Sequence, residues 1–224
     1  MNPFNLRVYT VVVSIVAVMF SAVVHEVAHG YVAFRLGDPT AKEAGRLTLD
    51  PRAHLDPFGS FVLPMIMAWL NGPVFAFAKP VPYNPSRLRN RRRDEVLVAL
   101  AGPASNIFQA VLGGIVFALL LRLYDGAYGP LFWLLRFVST YVYVNCVLAF
   151  FNLIPLPPLD GSKIVTPLLS GKALERYYQM QRYSMPVLLV LLYALPYLLH
   201  FNPLGVYLNV TAGGLADLIL GMGA

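Results

Sequence analysis

The chain has 224 residues, 58% hydrophobic and only 12% charged, with a formal net charge of +6. A water-soluble domain of this length carries about twice that charged share, and a disordered chain needs low hydrophobicity, so both classes are excluded. What remains is an integral membrane protein, read as one domain over 1–224.

The first apolar segment covers about 8–34, enough for the ~20 residues that cross a bilayer as helix. It runs into functional-looking residues without a cleavage site, so it reads as a retained span and not a signal peptide. Arg46-Leu47-Thr48-Leu49 then alternates with period two, like a short strand, until Pro51 ends it. The second apolar segment, 58–78, is interrupted by Gly59, Pro64, Asn71, Gly72 and Pro73. That pattern predicts a re-entrant hairpin in place of a crossing. The third and fourth, 96–123 and 130–154, are long enough to span, and a fifth, 185–199, is slightly short. The tail 203–224 carries Asn209 and Asp217, and the sequence leaves its crossing open.

With the N-terminus outside and the hairpin returning to its own side, 35–57, 79–95 and 155–183 lie on one face. They hold 14 of the 17 basic residues, leaving Arg7, Arg122 and Arg136 elsewhere. The positive-inside rule makes that face cytoplasmic. The positive charge then answers anionic lipid headgroups and not nucleic acid. The lone Cys146, in an apolar run, leaves no intrachain disulfide. The expected fold class is an all-α polytopic membrane protein: four or more transmembrane helices, a re-entrant hairpin and the short β element.

His25-Glu26-Val27-Ala28-His29 is an HExxH motif near the inner end of the first span. Residues four apart lie 40° apart around a helix, so both imidazoles leave one face and suit zinc, with the adjacent glutamate placed as general base. Ionisable side chains inside a span are costly, and three in five residues demand a function. A catalytic zinc needs a third protein ligand. His200 is expected at the outer end of the fifth segment, on the wrong side. His54, in an inner loop, stays a candidate. Asp160 is the better one, because it ends the proline-broken run from Asn152 to Gly161, level with HExxH.

HExxH in the first span, with Asn152-Leu153-Ile154-Pro155-Leu156-Pro157-Pro158-Leu159-Asp160-Gly161 in a later one, resembles the site-2 protease family of intramembrane zinc metalloproteases. The likeness extends to 45–59, to Lys79-Pro80-Val81-Pro82 and to Ala101-Gly102-Pro103-Ala104-Ser105-Asn106, and it is to compact bacterial members without PDZ or CBS domains. It implies that His25, His29 and Asp160 bind one Zn2+ per chain and that Glu26 activates the attacking water. It implies that Asn152 holds substrate or stabilises the oxyanion. His54 is a second substrate-binding candidate, placed to orient substrate or a catalytic water, with a structural hydrogen bond to its loop as the alternative. The resemblance also implies a three-span catalytic core in the cell (inner) membrane, and as partners the lipid bilayer and protein substrates cut within transmembrane segments or signal-peptide remnants. The sequence leaves room for a homo-oligomer. The alternative is a non-catalytic membrane metal-binding protein or metal transporter. A transporter would place polar residues along several spans to both faces, whereas here they gather near the inner side.

Overall fold

The computed structural model describes residues 3–54, 56, 62, 65–66 and 79–221. Its elements are α1 (Pro3–Arg35), α2 (Thr40–Glu43), α3 (Arg91–Leu121) and α4 (Pro130–Asn152). They are followed by α5 (Asp160–Val165), α6 (Gly171–Gln181), α7 (Ser184–Leu189), α8 (Leu195–Leu199) and α9 (Pro203–Gly221). Among the described residues, four helices are long and apolar enough to cross a membrane: Val8–Arg35 within α1, then α3, α4 and α9.

The fourth spanning helix is thus the tail and not the fifth apolar segment. Pro186–Leu199 at 1.5 Å per residue reaches only about 21 Å of the ~30 Å apolar core. The start of α9 sits beside the end of α4: Leu204 and Leu208 pack on Phe151, Leu159 and Leu188, and the Tyr207 hydroxyl donates to the Phe150 carbonyl. Its far end packs Ile219 against Gly114 of α3. His200, three residues before α9, therefore stands at the same end of the bundle as the C-terminus of α4, not at the opposite end as expected from the sequence.

Helices α1, α3 and α4 pack on one another to form the core. Small residues allow the approach, since a Cβ on Gly113 would lie 2.8 Å from Val142. Ala110, Val142, Cys146, Ala212, Ala216 and Ile219 join α3, α4 and α9 in one buried cluster. Phe20, Phe108, Ile115 and Leu119 face outward, as lipid solvation requires. The start of α3 is capped reciprocally: Asn90 Oδ1 accepts from Arg93 N, and Asp94 Oδ2 accepts from Asn90 N.

No strand occurs among the described residues, so the expected β element is not observed at 46–49. The physical reason lies in the neighbouring segment. The Arg46 guanidinium takes the Lys79 carbonyl (2.7 Å), and Pro80 and Pro82 have no N–H to contribute to a ladder. The expected hairpin at 58–78 falls almost wholly outside the described residues.

Helix α1 ends in a Schellman arrangement at Gly37 (φ 109°), with Asp38 N bonded to the Ala33 carbonyl and Gly37 N to that of Phe34. The fully buried Asp38 then accepts from the Thr40 hydroxyl, from Thr40 N and from Asn84 N, tying α1 to the loop that precedes α3. Burial pushes the Asp38 carboxyl up, but these hydrogen bonds and the Arg87 charge outweigh it and hold the group below the usual carboxylate range. A depressed folded pKa stabilises above the unfolded value of about 3.9 and loses that contribution as pH falls through the folded pKa. Asp38→Ala is therefore expected to cost about 1–3 kcal/mol at neutral pH by removing charge-assisted hydrogen bonds to partly buried donors. The gap between the wild-type and variant melting temperatures should close as the pH falls below 4, read by thermal unfolding in detergent.

Candidate metal centre and active site

His25 and His29 occupy successive turns of α1, and Asp160 opens α5; all three are buried. Their donor atoms converge. His25 Nε2 and His29 Nε2 are 3.0 Å apart, and each is 3.1 Å from Asp160 Oδ2. Asp160 reaches this point because the Leu153–Leu159 turns fold back beneath α4. Gly161 makes that possible, since a Cβ there would collide with the Leu153 and Ile154 carbonyls.

The other nitrogen of each ring is already engaged. His29 Nδ1–H donates to the Val98 carbonyl (2.6 Å), next to the rung of α3 that Pro103 removes. His25 Nδ1–H donates to Asn106 Oδ1 (2.5 Å). Both Nε2 atoms then offer only lone pairs, and Asp160 offers a carboxylate oxygen. With both rings neutral in these tautomers, three electron-rich atoms meet at one point, an arrangement that a bound cation stabilises. Two imidazoles and one carboxylate suit zinc with a position left open. The donor set fits the metal that the sequence implies.

Glu26 follows His25 on α1, and its Oε2 accepts from Val81 N (2.7 Å). Val81 lies between Pro80 and Pro82, so its N–H is the only main-chain donor in that triplet. It also packs on Gly30, where an added Cβ would lie 2.7 Å from the valine. A glycine directly after the second histidine thus lets the Lys79–Pro82 stretch reach the glutamate.

The remaining predicted residues form their side-chain hydrogen bonds elsewhere. Asn152, the last residue of α4, donates Nδ2–H to the Leu148 carbonyl (3.0 Å). His54 is 1% exposed and donates Nε2–H to the Thr48 carbonyl (2.8 Å), closing the 48–54 loop. It is not among the grouped donors.

The comparisons bear on this geometry. Residues 128–195 match the model of peptidase family M50. The chain is 40% identical over 195 residues to "Putative zinc metalloprotease YwhC" of Bacillus subtilis (strain 168), covering 84% of this chain and 82% of that protein. The chain belongs to peptidase family M50. It is also 31% identical to "Putative zinc metalloprotease Rip2" of Mycobacterium tuberculosis (strain ATCC 25618 / H37Rv), over 79% of this chain and 64% of that one. The Mycolicibacterium smegmatis protein of the same name is 28% identical, over 78% and 64%. No solved structure matches.

This M50 member is therefore a zinc metalloprotease and a multi-pass membrane protein, as the site-2 protease resemblance led one to expect. Its site contains one residue whose role the sequence pattern hid. Gly102 of α3 stands against the metal ligands, and a Cβ there would collide with His29 Nε2 and with His25 Cε1 and Nε2. From sequence, Gly102 reads as a small residue for helix approach. Its place one turn before Asn106 is the signal that both face the histidines. Gly102→Ala is expected to weaken zinc binding and turnover together, by about 1–3 kcal/mol or roughly 5- to 150-fold. Chelator competition on the metal-free protein measures this, and unchanged affinity would remove Gly102 from the site.

Proposed function

We propose that this M50 protease is an intramembrane endopeptidase that hydrolyses peptide bonds within transmembrane segments of membrane proteins or signal-peptide remnants. The observation that carries the reading is the burial of His25, His29 and Asp160 between helices long enough to span. A donor set enclosed in that way is reached by a substrate that is itself in the bilayer. His25, His29 and Asp160 hold the zinc, which supplies Lewis-acid polarisation of the water and the scissile carbonyl when bound. Glu26 takes the proton of the attacking water and passes it to the departing amide nitrogen. The Val81 N–H keeps the carboxylate aimed while it does so. Asn152, with one amide hydrogen on Leu148, has its carbonyl oxygen and second hydrogen for the substrate backbone. His54 contributes by holding the loop that faces the Lys79–Pro82 stretch. The bundle end with Arg35, Arg87 and Arg91-Arg92-Arg93 faces the cytoplasm of a cell (inner) membrane.

The test is cleavage of a labelled single-span substrate reconstituted with the protein in liposomes, with mass-spectrometric mapping of the products. Cuts inside the hydrophobic segment support the reading. Cuts confined to soluble flanks, or equal cleavage of an unrelated soluble peptide, would make this a membrane-anchored protease acting at the surface.

A further inference from the structure

The two histidine ligands have their tautomers set by different means. For His29 the Val98 carbonyl acts directly, because a main-chain carbonyl only accepts. For His25 the partner is the Asn106 side-chain amide, which could present either its oxygen or its NH2. What decides between them lies one helix further away.

Asn106 is fully buried and meets His25 at one end and Asn145 of α4 at the other, with Asn106 Nδ2 2.8 Å from Asn145 Oδ1. Asn145 is also fully buried, and its Nδ2 lies 3.0 Å from the Tyr141 carbonyl and 2.8 Å from the Ser21 hydroxyl of α1. The serine donates or accepts as needed, but the Tyr141 carbonyl can only accept. The group facing it must therefore be the Asn145 NH2. The Asn145 oxygen then faces Asn106, which must answer with its own NH2, so the Asn106 oxygen faces His25. Only an Nδ1–H satisfies that oxygen, and the His25 lone pair is left on Nε2, toward His29 and Asp160.

We infer that Asn145 is a positioning residue for the metal centre: anchored on the Tyr141 carbonyl, it sets the direction of a hydrogen-bond chain through Asn106 that holds His25 in its metal-binding tautomer. Without Asn145 the Asn106 amide can turn over, and an NH2 facing His25 Nδ1 favours the tautomer whose Nε2 carries hydrogen and cannot ligate. The consequence for zinc rests on the metalloprotease reading; the tautomer itself does not.

The experiment has two arms. In the first, 15N NMR of histidine-labelled, metal-free full-length protein reads the His25 tautomer, assigned by its loss in His25→Gln. The wild type should show Nδ1–H, and Asn145→Leu should show mixed or Nε2–H signals. An Nε2–H wild type overturns the proposal without any Asn145 variant, and an unchanged signal in folded Asn145→Leu overturns it as well.

The second arm is zinc affinity by chelator competition. Asn145→Leu should lose about 10- to 100-fold, the usual range for losing the outer partner of a ligating histidine, because it frees Asn106 to turn away its oxygen from His25. Asn145→Asp should stay within a few-fold, because a buried neutral carboxyl donates to Tyr141 and accepts from Asn106 in the same sense. Val142→Ala removes packing at the same helix interface but no polar group, and should also stay close to wild type. Equal losses in Asn145→Leu and Val142→Ala would make the effect one of packing and overturn the proposal. A wild type that binds no zinc would fail the metalloprotease reading instead, with the first arm still deciding the tautomer.

Discussion

Glu26→Gln is expected to abolish detectable peptide cleavage while leaving about one zinc per chain. The glutamine retains an oxygen for the Val81 N–H, so the contact that aims the side chain survives. It makes no contact with the three donor atoms, so metal content should hold. What disappears is the carboxylate proposed to take the proton from water and return it to the amine. General-base catalysis of this kind contributes roughly 10²- to 10⁴-fold, enough to drop a slow intramembrane reaction below detection. The measurement pairs zinc by mass spectrometry with cleavage in liposomes. Turnover retained in Glu26→Gln would refute the assigned role. Zinc lost with it would mean the glutamate supports the ligands as well.

Asp160→Asn should have the second large effect, a loss of zinc affinity of at least about 100-fold, since outer partners of a ligand already cost 10- to 100-fold. The substitution preserves volume, so the turns over Leu153–Leu159 and the close approach at Gly161 should persist. It removes the only anion among the three convergent donors and leaves two imidazole lone pairs 3.0 Å apart facing a neutral amide. Chelator competition reads the affinity, and thermal unfolding confirms that the variant is folded. Affinity close to wild type would exclude Asp160 as a ligand. It would bring forward His54, whose buried Nδ1 has no hydrogen-bond partner among the described residues.

Much of the site is legible in the chain. HExxH places two imidazoles on one helix face because the helical period leaves residues four apart only 40° apart, and the proline-broken run to Asp160 marks backbone that needs a protein-lined cavity. Apolar length locates α1, α3 and α4 for the same reason it limits Pro186–Leu199: a bilayer accepts only helices long enough to cross it. The tail was harder to read, because Asn209 and Asp217 dilute its hydropathy. Burial of Ala212, Ala216 and Ile219 against α3 and α4 compensates for them. The β element is not observed among the described residues: alternation describes a face and says nothing about partners, and Pro80 and Pro82 in the neighbouring stretch have no N–H for a ladder.

Composition and spacing within single segments point to the lipid environment, the spanning helices of the core, Glu26 as the candidate general base and a donor set suited to zinc. Each of these depends on composition or on spacing within one segment, which chain geometry converts directly into placement. Helix packing sets which nitrogen of each histidine meets Asp160, why Gly102 admits no side chain, and that the Val81 N–H bonds to Glu26. Ser21 lies one turn before His25, and Asn145 two turns before Asn152, so each shares a helix face with a predicted residue. Their partners, however, are on other helices. A hydrogen bond between spans needs a donor and an acceptor brought within about 3 Å, and that distance exists only after α1, α3 and α4 have packed.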